Sequence, residues 1–558
     1  MSRKPAAEYY DERRRRLVDN ETSTHAISRQ GIFEIILASP KEYSTAMSSI
    51  RYQSIFKQLS SWPETCCERA FYPDKDELHW RSRYGYSTET LETGKPISQC
   101  DLLVFTTSGE DDYLKVLEMM KLSDIKLRAE YRTNKWPLVI AEGIPVTANP
   151  LPLSLFMDAF VIGETEPSIG PVLDTIKSLG AQGASKKKLL RRLAALPGMY
   201  IPSVHDIPGT VSSIMRQWAG SDGMGMTSFI HSPDCIDSDT TILEISRGCP
   251  FNCKFCQAGY VSLPYRECKL EELEGIISNL PDIKKLALLG SSPRSHPDLR
   301  KIIKAAKKRS LKVMLCSHKY EDQIHSNELP QDFNEKSVVL SPETGTDSLR
   351  RVIGKKLTNE QLFKSVEKHT DDTISNIKIY FMIGLPFETE ADRESIIDFV
   401  KEVRDRVSLP IHISIDPFIP KPWTAFQWSA MASPTDLREW IDWFETEFRK
   451  IDKVSVTFGD PRMAHIKALL ARGDHRTSAV LEEKLAGVGW NTAFKKADVN
   501  IRWVLEEIDT EISFEWSFLN MGFGHTRLAR EYHASFSLNQ NRLKNLEKES
   551  EEEALTSN

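Results

Sequence analysis

Three cysteines, Cys249, Cys253 and Cys256, fall within one short stretch, EISRGCPFNCKFCQAGY, from Glu244 to Tyr260. Thiolates that share a metal centre must converge, and a C-x3-C-x2-C spacing on one loop brings them together with little chain to order. Four cysteines would close a structural zinc site or an electron-transfer cluster. Here the next cysteine is Cys268, beyond QAGYVSLPYRE and at the start of an expected helix. Three thiolates on a cubane iron–sulfur cluster leave one iron open, and an open coordination position is where a metal does chemistry. The competing reading is a zinc loop completed by Cys268 or His231.

Composition sets the frame for that loop. The chain has 558 residues, 40% hydrophobic and 27% charged, which suits a globular protein of several domains. A formal net charge of -6 gives no strong nucleic-acid signal. No apolar run reaches the length of a membrane span; the best, 138–163, is interrupted by Glu142, Asn149 and Asp158. The start, MSRKPAAEYYDERRRR, lacks the apolar core of a secretory signal, and Arg13 to Arg16 reads as a solvated helix face. A cytoplasmic protein is expected. Nine cysteines are too few and too scattered for a disulfide scaffold, and Cys316, ending LKVMLC, reads as core.

The elements that would position the loop follow from periodicity. Runs at 33–39, 101–107, 137–143 and 158–164 read as strands buried on both faces, with helical patterns between them. Such alternation predicts an open, parallel, Rossmann-like α/β domain over 31–204, after an N-terminal extension at 1–30. A Gly- and Ser-rich connection, 205–234, reads as a linker. A second alternation starts with TILEIS at 241 and continues through strands at 286–290, 311–315, 337–341, 377–384 and 411–416. Six strand–helix repeats predict a partial (β/α)6 barrel over 235–430, with its site at the carboxyl ends of the strands. The remainder reads as a helical region, 431–540, and an acidic disordered tail, 541–558.

The cysteine spacing, on a loop leaving the first barrel strand, resembles the signature of the radical S-adenosylmethionine (SAM) superfamily. That resemblance implies a [4Fe-4S] cluster on Cys249, Cys253 and Cys256, with SAM chelated to the open iron and cleaved to a 5′-deoxyadenosyl radical. It also implies cofactor contacts: Phe255 near the adenine, Gly290, Ser291 and Ser292 near the SAM amino group, Glu343 on the ribose or amino group, and Gly384 beneath the adenine. The stretch 137–166 resembles the last half of the cobalamin-binding-type domain that precedes the barrel in one class, and 417–428, 459–481 and 516–532 resemble segments of a large branch with that layout. Cobalamin is therefore a further candidate cofactor, although residues 31–200 hold no Asp-x-His-x-x-Gly motif, Glu142-Gly143 stands where this branch usually reads Gly-Gly, and no cysteine follows Cys316.

The implied activity is modification of a poorly activated carbon by methylation, cyclisation or carbon–carbon coupling, on a small-molecule substrate, with ferredoxin or flavodoxin as electron donor. A methylthiotransferase acting on tRNA or protein is an alternative, although Cys66 or Cys67 with Cys100 supplies only two separated positions for the second cluster of such enzymes. A non-catalytic iron–sulfur protein is the alternative outside enzymology. The RGDHR run at 472–476 reads as structural or as lining the substrate entrance, and Trp423, Phe426 and Trp428 read as lid or core packing rather than substrate stacking.

Overall fold

Apolar runs bounded by turns form the first sheet, because burial on both faces rewards Ile, Leu and Val at consecutive positions. In the computed structural model, which describes residues 3–25, 27, 31–206, 213–236, 238–315, 337–369 and 374–556, the strands of this sheet are β1 (Phe33–Ser39), β2 (Thr65–Phe71), β3 (Leu102–Thr107), β4 (Leu138–Gly143), β5 (Ala159–Val161) and β6 (Met199–Tyr200). Their order across the sheet is β2-β1-β3-β4-β5-β6, parallel except for β6. This is the doubly wound arrangement in which the strand order reverses between β1 and β3. Every residue of β4 is buried.

β2 was not anticipated. Its sequence, TCCERAF, carries Glu68 and Arg69, yet both are buried, and Arg69 is fully enclosed. Glu21 at 2.6 Å and Glu92 at 2.7 Å neutralise the guanidinium.

The second alternation gives β7 (Thr240–Glu244), β8 (Lys285–Leu289) and β9 (Lys312–Leu315) in one parallel sheet. A second parallel sheet holds β10 (Ser337–Glu343), β11 (Asn376–Ile383), β12 (Ile411–Pro417) and β13 (Val454–Phe458). Among the described residues no strand pairing joins the two sheets into a closed barrel. The expected strands are present, and β13 adds a seventh within the stretch read as helical. Its five residues are only partly covered, as suits the edge of a sheet. The outer helices bury one face; Leu299–Lys308 encloses Leu299, Ile302, Ile303 and Ala306 and turns its lysines outward.

Three flanking segments are more ordered than their sequences suggest. The extension carries a helix, Arg3–Asp19, held by Arg13 on Asp74 (2.5 Å) and by Arg14 on the Leu91 and Glu92 carbonyls (2.8 and 3.0 Å). Two of the four arginines read as a solvated face are therefore docked. The 205–234 connection is pinned by short ladders, Ile230–His231 against Thr22–Ser23 and Ile214–Met215 against Leu519–Asn520. The acidic end continues a helix, His525–Thr556, in place of disorder. Its Ala, Leu, Glu and Lys content favours helix, and Arg542, buried on Asp392 at 2.5 Å, ties it to the helix Glu390–Arg406. Cys316 lies outside the described residues. Among them, no helix is long and apolar enough to cross a membrane.

Candidate active site

The cysteine loop emerges from a narrow neck. Ser246–Arg247 pairs antiparallel with Arg266–Glu267, and residues 248–265 form the loop between them. Gly248 takes φ +80°, where a Cβ would lie 2.7 Å from the Ser262 carbonyl oxygen and 2.8 Å from that of Pro264. Only glycine fits such a turn and such an approach. Beyond the neck, the Cys256 amide donates to the Cys253 carbonyl (3.1 Å), and the helix Gln257–Val261 begins directly after Cys256.

Distant segments hold this loop in shape. The Lys254 amide donates to the Ile353 carbonyl (2.9 Å), and the Lys254 carbonyl accepts from the Phe426 amide (3.2 Å). Gly354, at φ +82°, lies so close to Asn252 that a Cβ would come within 2.5 Å of its carbonyl oxygen. On the C-terminal helix, Glu531 accepts from Lys254 Nζ (3.1 Å), Arg527 Nε (3.0 Å) and the Tyr260 hydroxyl. Burial pushes the Glu531 carboxyl up, but these donors outweigh it and leave it below its ordinary value.

Cys249, Cys253 and Cys256 line one cavity of about 310 Å³, together with Phe255, Ser291 and the segment 354–357. The volume falls at the lower end of small-molecule sites. Lys355 is buried on its wall, donating to the Ser341 carbonyl and to Glu343 Oε1 (2.9 Å), while Lys356 is exposed. The cavity thus joins three thiols, an aromatic wall and two cations at the carboxyl ends of parallel strands. Among the described residues no group of three or more His, Cys, Asp and Glu is arranged around a single metal ion.

The structure brings together five of the nine residues singled out from sequence: the three cysteines, Phe255 and Ser291. Glu343 acts one step away, through Lys355. Ser292 is fully buried with its hydroxyl 2.7 Å from that of Ser295, and Gly290 backs onto Ser246. Gly384, at φ +73°, makes its close approach to Ala432 rather than to the cavity. Lys355 and Lys356 were not among the expected contacts; two adjacent lysines are ordinarily a solvated surface, and only tertiary packing buries one.

The candidates for a zinc reading lie elsewhere. Cys268 is buried among Leu243, Ile245 and Leu273, its thiol 3.5 Å from the Glu244 carbonyl oxygen, and burial pushes that thiol up to about 12. His231 sits in the ladder with Thr22–Ser23, with Nε2 3.5 Å from Thr241 Oγ1. Neither lines the cavity. Trp428 and Phe426 are fully buried and Trp423 nearly so, which makes the PKPWTAFQW stretch packing.

Charged side chains pair with one another across the crevice at which a doubly wound sheet receives a cofactor. Lys41 bridges Asp111 (3.1 Å) and Asp112 (2.7 Å) where the strand order reverses. Lys421 reaches Glu110 at 2.5 Å, and Lys467 approaches Asp111 at 3.6 Å. The Trp423 indole donates to the Ala148 carbonyl (2.9 Å). Glu142 is buried against Arg51, and Gly143, at φ +126°, leaves no room for a Cβ beside Thr107. These residues do not fit a corrin.

Glu388 is a titrating group in the turn between β11 and the helix Glu390–Arg406. Its side chain is buried and accepts from the Gly384 amide at 2.8 Å, with Arg393 at 3.4 Å. Burial pushes its carboxyl up to about 7, more than the Gly384 and Arg393 contacts hold it down. A carboxyl raised in the folded state contributes stability that is full below its ordinary range and is lost as pH rises through about 7. Glu388→Gln can still accept from Gly384 and should remove a pH-dependent loss of about 3 kcal/mol. Urea midpoints measured from pH 4 to 8 test this; parallel profiles for the two proteins would refute it.

Against this geometry, family models match two stretches: "Radical SAM proteins, N-terminal" over residues 51–202 and "Radical SAM superfamily" over residues 243–400. The chain belongs to the radical SAM superfamily. An uncharacterised protein of Methanocaldococcus jannaschii, MJ0966, is 25% identical over 413 residues, covering 73% of this chain and 85% of its own. Two further relatives share only about a third of the chain. The ribosomal protein uS12 methylthiotransferase RimO of Thermodesulfovibrio yellowstonii is 25% identical over 30% of this chain and 43% of its own. The tRNA-2-methylthio-N(6)-dimethylallyladenosine synthase of Ehrlichia ruminantium is 23% identical over 30% and 41%. The solved structure of Streptococcus suis SuiB bound to S-adenosylmethionine is 16% identical, with a TM-score of 0.27 over 39% of this chain and 51% of that one.

Proposed function

We propose that this is a cytoplasmic radical SAM enzyme that modifies a poorly activated carbon of a small molecule, by methylation, cyclisation or carbon–carbon coupling, and takes its electron from a ferredoxin or flavodoxin. One observation carries the reading. Cys249, Cys253 and Cys256 converge on a single cavity with Phe255 and Ser291, while Cys268 and His231 lie elsewhere. Cys249, Cys253 and Cys256 would hold a [4Fe-4S] cluster there, which would supply the electron for reductive cleavage of SAM.

The chain's own residues prepare the place. The three thiols would be the cluster's only protein ligands at this cavity, which would leave a coordination position open to SAM. Lys355 and Lys356 bring positive charge to a cavity whose cofactors carry negative charge, a thiolate-ligated cluster and a carboxylate. Glu343 fixes the Lys355 ammonium, and Phe255 supplies an apolar wall that keeps water from the reacting atoms. No corrin enters this reading, since the protein's own ion pairs span the crevice that would take one.

The methylthiotransferase reading has the printed names of two relatives in its favour. Against it, Cys66 and Cys67 are neighbours on β2 and so face opposite sides of the sheet, which prevents them from sharing a second cluster.

The test is anaerobic reconstitution with iron and sulfide, reduction, and addition of SAM. Equal amounts of 5′-deoxyadenosine and methionine are expected. Their absence from protein with a verified cluster would overturn the reading. Near-stoichiometric corrinoid in protein expressed with cobalamin supplied would overturn its corrin-free form.

A further inference from the structure

In a doubly wound sheet the carboxyl ends of the strands are where ligands are received. Glu164 stands there, just past β5, and its carboxylate is taken by the neck of the cysteine loop. Glu164 Oε1 accepts from Arg266 NH2 (2.7 Å), and Oε2 accepts from Arg266 NH1 (3.1 Å), Arg247 NH1 (2.7 Å) and the Ala219 amide (2.8 Å). Arg247 and Arg266 are paired residues on the two strands of the neck, so one carboxylate fastens both sides of the opening from which all three cysteines extend. Glu166 adds a contact to Arg247 at 2.9 Å, and Glu244 holds the same guanidinium from β7 at 2.8 Å.

The arrangement is built rather than incidental. Glu164 is 6% exposed and Arg266 9%. Burial alone would push the Glu164 carboxyl up, yet Arg266 and Arg247 outweigh it and hold the group below its ordinary value. Paired, hydrogen-bonded charges of this kind are sensitive to geometry, and removing one partner leaves the other stranded.

We infer that Glu164 is a positioning residue for the cluster loop: the N-terminal domain uses its ligand-receiving edge to grip the neck of that loop. The inference rests on the cluster reading of the three cysteines but not on which substrate is modified. It gives the N-terminal domain a role in this chain that needs no cofactor of its own. The domain sets the spacing of the neck, and through it the placement of Cys249, two residues beyond Arg247.

The test compares wild type with Glu164→Gln and Glu164→Asp. The first removes the charge; the second keeps it but withdraws the carboxylate by one methylene. Hydrogen exchange on the metal-free chain should rise at least tenfold across 248–265 in E164Q, and by less in E164D, with β1, β3 and β4 unchanged. Reconstituted E164D should lose iron to a chelator several-fold faster, and the change that SAM produces in the electron paramagnetic resonance spectrum of its reduced cluster should differ from wild type. If E164Q does not fold, E164D decides. Unchanged exchange across 248–265 would overturn the inference, and so would an equal rise throughout the N-terminal domain, which marks a merely structural pair. Wild type that takes up no cluster would instead defeat the cluster reading, and the metal-free exchange measurement would still stand.

Discussion

Alanine at Cys249, Cys253 or Cys256 is expected to remove the iron–sulfur absorbance of reconstituted protein and to abolish 5′-deoxyadenosine formation, while leaving the fold intact. Each thiol lines the same cavity, and each is only partly buried, so truncation creates little void in a packed core. The loss is expected to exceed a thousandfold for each variant, because two thiolates cannot hold a cubane with one iron reserved for SAM. Cys268→Ala is the control. Its thiol packs in the core beneath the sheet, so that variant should lose modest stability and keep its cluster. Iron content, absorbance and product analysis on the four variants decide the matter. A cysteine-loop variant that retains cleavage, or a C268A that loses its cluster with the fold intact, would sink the ligand assignment.

Arg69→Met should be among the most destabilising single changes in the N-terminal domain. The guanidinium is fully buried, contacts Glu21 and Glu92 at 2.6 and 2.7 Å, and lies over the Phe56 ring at 4.8 Å. Burial by itself would lower its proton affinity, and the two carboxylates more than restore it. Replacing it strands two carboxylates in a dry interior, a change that typically costs about 3–5 kcal/mol. Glu21 comes from the N-terminal segment, so that segment should loosen as well, seen as faster proteolysis within residues 1–30. The triple variant R69M/E21Q/E92Q should recover part of the loss, because it removes the stranded charges. Urea unfolding of the single and triple variants tests both statements; a loss below about 1 kcal/mol for R69M would contradict them.

These two sites differ in how far the sequence reveals them. The cysteines are legible because their chemistry is local: three thiols within eight residues need no knowledge of the fold. β1 and β4 are legible because strands buried on both faces carry consecutive apolar residues, here Ile35–Ala38 and Leu138–Ala141. β2 is not, since the partners that make Glu68 and Arg69 tolerable in a strand lie in other segments of the chain. β13 hides for a different reason. A partly covered edge strand carries a weak pattern, and this one lies among long helices. Lys355, Glu164 and Glu531 are ordinary charged residues until the tertiary structure sets them against the cavity wall or the loop. The order of the terminal helix is likewise a tertiary fact, set by Arg542 on Asp392.

The bond between Glu531 and Tyr260 spans 271 positions of sequence. A ribosome adding about 5–20 residues each second needs roughly 15–50 s to travel from one to the other. Throughout that interval the nascent cysteine loop lacks the carboxylate that will later draw Lys254 and Tyr260 together. Synthesis therefore passes through a timed interval in which the thiols are already made but their enclosure is not. During it they are open both to oxidation and to whatever delivers iron and sulfide.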